Sequence, residues 1–86
     1  MKAVLVTTKH RGVFFGYADD TSGSSVTLEK ARCAIRWSTR GGFLELAEKG
    51  PNANSKIGSR APSLDVRDVT SVATCTDAAI AAWEAA

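Results

Sequence analysis

Arg32, Arg36 and Arg40 recur at every fourth residue of VTLEKARCAIRWSTRGGFLELAEKGP, Val26 to Pro51. On an extended strand, period two places all three on one face. Guanidinium forks match phosphate and carboxylate through paired hydrogen bonds. Lys56 and Arg60 follow in PNANSKIGSRAPS, a stretch with the composition of a long loop, and such loops are often functional. Arg32, Arg36, Arg40, Lys56 and Arg60 are therefore the candidate ligand-binding set, and a nucleotide-like anion is the ligand chemistry they suit. Trp37 has the opposite parity and suits stacking on a base or a subunit interface, and Trp83 is the second candidate for that role. Two plainer readings compete: a solvated sheet face with cross-strand pairs to Glu29, Asp65 or Asp68, and a subunit interface, where arginine is also enriched.

The other reactive side chains form no catalytic set. The single histidine, His10, sits in a polar turn, no nucleophile elbow is present, and no HExxH-type spacing exists. The expectation is a non-enzymatic protein with no cofactor and no metal. Asp19-Asp20 beside serines reads as a solvated turn. Gly41-Gly42 lacks the lysine and spacing of a phosphate loop. Cys33 and Cys75 read as reduced, buried thiols. A net charge of +2 is too small to imply nucleic acid on bulk charge. Phe14, Phe15 and Tyr17 beside Lys9 and Arg11 are the nearest approach to an aromatic and basic nucleic-acid surface, but these aromatics alternate faces, so nucleic acid is not the expected partner. No apolar run nears the ~18–20 residues of a membrane helix. The apolar patch in MKAVLVTTK is short for a signal core of roughly 7–15 residues. The expected setting is cytoplasmic, away from membranes.

The elements that must position these residues belong to one domain, 1–86. Lys2 to Thr8 is apolar on both faces, as in a central strand or one covered by a neighbouring subunit. Lys9-His10-Arg11-Gly12 is a turn. Val13 to Asp19 is a second strand, with Gly16 marking a bulge or a close backbone approach. In the third strand Val26 and Leu28 have even parity, whereas Ala31, Cys33, Ile35 and Trp37 are odd. The switch predicts a bulge or bend at Glu29-Lys30 and an apolar odd face beyond it. Phe43 to Lys49 is a short helix closed by Gly50-Pro51, expected as a plug over one end of the sheet. Pro51 to Ser63 is loop. Leu64 to Cys75 is a last strand region with a parity switch at Asp68. Thr76 caps an alanine-rich helix, Asp77 to Ala86, whose Trp83 must dock on its own sheet or on a neighbour. The fold expected is α+β: a small, strongly bent antiparallel sheet or partly open barrel of about four to five strands. A short helix follows the third strand and a second lies at the C-terminus. So small a core favours a homo-oligomer.

GVFFG at Gly12–Gly16, VTLEKAR at Val26–Arg32, Trp37, FLELAEKGP leading into SKI at Ser55–Ile57, and CTDAA at Cys75–Ala79 occur in this order. In these stretches the chain resembles a family of small tailed-phage and prophage proteins known as a domain of unknown function. The resemblance implies a phage-encoded protein made in the bacterial cytoplasm and carries no catalytic residues with it. Among the classes of small phage proteins, the arginines favour sequestration of a nucleotide-like immune signal of the host. The alternatives are a structural, assembly or host-protein-binding accessory protein, and a small-barrel nucleic-acid-binding protein.

Overall fold

A computed structural model describes residues 1–9, 12–36, 43–52 and 55–86, the side chains of Arg36 and Phe43 excepted. In chain order the elements are β1 (Lys2–Thr8), β2 (Val13–Ala18), β3 (Val26–Arg36), α1 (Phe43–Glu48), β4 (Lys56–Ile57), β5 (Ala61–Val66), β6 (Val69–Thr74) and α2 (Asp77–Ala85). The six strands form one open antiparallel sheet in the order β4-β3-β2-β1-β6, with β5 also on β3. This is more than the four to five strands expected. Two of them escape sequence patterning: β4 lies inside the expected loop, and β5 begins at Ala61 rather than Leu64. The expected last strand region is likewise two strands, parted at Arg67-Asp68.

β1 is central, flanked by β2 and β6, and both its faces are apolar because each is buried in a core of its own. Ala3 and Leu5 enter one core with Phe15, Leu46, Ala47, Ala79 and Trp83. Val4 and Val6 enter another with Ala18, Val26, Leu28, Ala31 and Val66. The helices cover the first core. The second is walled by strands alone, so the sheet has to curl round it. Two backbone distortions allow the curl. Lys30 has φ 52°, and the β2–β3 register slips between Phe15 and Tyr17, the bulge predicted at Glu29-Lys30. Gly16 sits at that slip, where a Cβ would come within 2.8 Å of Leu28 Cβ. Asp68, φ 56°, turns the chain from β5 into β6. Its carbonyl accepts from Lys9 N–H at 2.9 Å, and Val69 N–H donates to Ser24 O at 3.0 Å. The turn between β1 and β2 is closed by Thr8 N–H to Gly12 O, 3.0 Å; His10 and Arg11 lie outside the described residues.

Helix placement differs from expectation. α1 lies against β1, β6 and α2 on the sheet face rather than plugging an end. Both helices also stop one residue short of their expected limits. α2 begins where Thr76 accepts from Ala79 N–H at 3.1 Å, and Thr76 Oγ1 donates to Glu48 O, tying the two helices together.

Candidate functional site

Arg32 lies on β3 opposite Phe15, on the face that carries the helices. Its guanidinium is occupied by main-chain oxygens of its own chain. Nη1 donates to Trp83 O at 3.0 Å and to Ala86 O. Nε and Nη2 donate to Gly58 O at 3.3 and 3.2 Å. The last carbonyls of a helix have no partner within it and carry the negative end of its dipole. A fixed cation fork answers both needs for α2, and the same fork holds the segment after β4.

Arg60 makes a second clasp. Nη1 donates to Lys30 O at 2.8 Å, at the bulge of β3, and Nη2 pairs with Glu84 on α2 at 2.9 Å. Glu84 also faces Tyr17, whose phenol is held above its usual range by burial first and by that carboxylate second. Arg32 and Arg60 thus fasten α2 to β3 from two sides.

The backbone of Arg36 is the register partner of Lys56 across β3 and β4, and Lys56 is exposed. The Arg36 side chain, Arg40 and Trp37 lie outside the described residues, as do Gly41 and Gly42. Trp83 docks within its own chain. It is fully buried, stacked on Phe15 with ring centroids 5.0 Å apart and planes 6° from parallel. Its Nε1–H donates to Leu46 O at 2.9 Å.

The apolar face of β3 is also corrected. Ile35, expected to face inward, is 57% exposed, whereas Ala34 is buried at 5%. Cys75 is buried as expected and Cys33 only half-buried, both as free thiols. Burial pushes the Cys75 thiol up to about 11 and raises Cys33 also.

A cavity of about 260 Å³ opens beside Tyr17, Asp19, Asp20 and Glu29. Its three carboxylates outnumber the one cation there, the Met1 ammonium 3.5 Å from Asp19, so the cavity disfavours an anion. The Asp20 carboxyl is held low by hydrogen bonds from the hydroxyl and then the backbone of Ser22. A second cavity, about 200 Å³, lies between Phe14, Leu64 and Val66. Both fall below the ~300–1,000 Å³ of typical small-molecule sites. Among the described residues no group of three His, Cys, Asp or Glu side chains could hold a metal ion, and no helix is long and apolar enough to cross a membrane.

The clasps escaped sequence reasoning because partners 24 to 54 residues apart leave no local spacing. The one signal available was Glu84, the only acidic residue of the last turn of α2.

Fold and clasps together define a small curled-sheet domain with its C-terminal helix fastened to the sheet by arginines. The chain belongs to the family described as a domain of unknown function (DUF6948), which it matches over residues 1–83. No curated protein and no solved structure matches it.

Proposed function

We propose that this domain is a non-enzymatic interaction module, an assembly or host-protein-binding accessory protein, that works through protein contacts. The observation that carries this reading is the commitment of Arg32 and Arg60 to α2. With both forks satisfied inside the chain, the candidate ligand-binding set loses two of its five cations as donors. The resemblance of the GVFFG, VTLEKAR and CTDAA stretches to phage proteins supports a phage-encoded setting in a bacterial cytoplasm. The thin core of an 86-residue chain supports oligomer formation.

A second reading keeps the nucleotide-like anion, at the β3–β4 end of the sheet. It is favoured by the register that sets Arg36 opposite Lys56. Thermal unfolding against a panel of mono- and dinucleotides separates the two. A ligand at 100 times its Kd stabilises a folded protein by about 2.7 kcal/mol. For a domain of this size that is a rise in Tm of about 10 °C or more. The interaction reading predicts no rise with any nucleotide. A rise of that size, lost in Lys56→Ala, would establish the anion reading instead.

A further inference from the structure

Two of the outer strands of the sheet are built differently. β5, Ala61–Val66, carries Pro62 and Asp65. Proline and charge are the usual devices that keep an edge from pairing with another chain. β6, Val69–Thr74, is VTSVAT. It has no charge, no proline and no glycine, and four of its six residues are β-branched. On one side it pairs with β1. Among the described residues no strand pairs with its other side. None of its residues is fully buried, in contrast with the five consecutive buried residues of β1. α1 packs on β1 and β6 and carries Leu44, 58% exposed.

Resting on the interaction reading, we infer that β6 is a homodimer edge: it pairs antiparallel with β6 of a second copy, about a two-fold axis, into one continuous sheet. A two-fold joint brings each residue of the strand against the same strand in the partner. In that antiparallel joint residue i of one copy opposes residue j of the other, so a charge on the strand would be covered with no counter-charge opposite it. A neutral strand of valines and hydroxyls is complementary to itself. The β5 edge is blunted against such a joint, since Pro62 has no N–H to donate and Asp65 brings a charge with no counter-charge opposite it. Six-residue strand pairing alone falls short of the roughly 1,200 Å² of a stable interface. Leu44, on the helix beside β6, supplies apolar area next to the joint.

Light scattering on the full chain at about 100 μM tests this, a concentration at which an interface of micromolar Kd is saturated. The expected mass is twice the 9.1 kDa of the chain. Thr74→Lys, at an exposed edge position, should weaken dimerisation at least ~10-fold with unchanged far-ultraviolet circular dichroism. Leu44→Glu, on a different element, should weaken it as well and decides the matter if Thr74→Lys fails to fold. Ser63→Lys on β5 should leave the dimer intact. A monomeric wild type, an assembly larger than a dimer, or a dimer lost in Ser63→Lys but not in Thr74→Lys overturns the inference. A wild-type monomer leaves the interaction reading standing with another partner. A nucleotide-dependent rise in Tm removes that reading and leaves a dimer where it is.

Discussion

At the scale of the residue, Arg32 decides how the molecule is understood. Its charge and parity suggested an outward-facing hydrogen-bond donor to an anion, and its head group instead donates to three main-chain oxygens of the same chain. Hydrogen bonds from a charged group contribute about 1.5–3 kcal/mol each at most, and removing the donor leaves the acceptors unsatisfied. Arg32→Ala should therefore lower stability by about 2–3 kcal/mol in urea unfolding. Arg32→Lys should recover less than half of that, because a point-like ammonium cannot span Gly58 O and the end of α2 together. If Arg32→Lys matched the wild type, the fork geometry would be irrelevant. Arg60→Ala is a milder change. Its ion pair to Glu84 is part-exposed, and such pairs contribute about 0.2–1 kcal/mol. Gly50 is fixed by geometry: φ is +81°, and a Cβ there would lie 2.5 Å from Ala82 Cβ and 3.0 Å from Ala79 O. Gly50→Ala then costs more than the ~1 kcal/mol of the left-handed backbone alone, readable as a lowered urea midpoint with the slope unchanged.

At the scale of the element, the bend of β3 carries the fold. Val26 and Leu28 against Ala31 made the parity switch visible in sequence, and the bulge at Lys30 is where the pattern placed it. Lys30 pays a steric cost at φ 52° that glycine avoids. Lys30→Gly should be neutral to about 1 kcal/mol stabilising, and Lys30→Val should cost about 1–2 kcal/mol. The reverse order of the two in thermal melts would mean that Lys30 is not left-handed in solution. The Thr76 cap was legible for the same reason: its partner, Ala79 N–H, is three residues away. Other features were not. Alanine is equally at home on either face, so Ala31 and Ala34 gave no vote on which side of β3 is covered, and Ile35 outweighed them wrongly. Pro62 made the start of β5 read as loop, although an edge strand tolerates proline. Strand β4 is two residues long, below any periodicity. Of the candidate site, residue types were legible but destinations were not, since an arginine's long stem lies easily on an apolar face while its head finds polar partners.

At the scale of the whole molecule, three groups raised by burial, Cys75, Cys33 and Tyr17, set the alkaline limit. The Cys75 thiol is pushed to about 11 from an ordinary 9.0 by burial, and Tyr17 is also raised. Between those values the unfolded chain loses a proton that the folded chain keeps. Stability is then fully present below pH ~9 and declines as pH rises towards ~11. Cys75→Ala should flatten that decline in Tm measured from pH 8 to 11. An equal slope in the variant would place the titration elsewhere.

We propose the molecule as a whole to be a protein-binding domain in which Arg32 and Arg60 are committed to its own helix α2. Native mass spectrometry of the protein as purified from bacterial cells tests that claim most directly. The account predicts protein-only masses at multiples of the 9.1 kDa chain. An assembly carrying additional mass of nucleotide size, released on unfolding and lost in Arg36→Ala with Lys56→Ala, would contradict it.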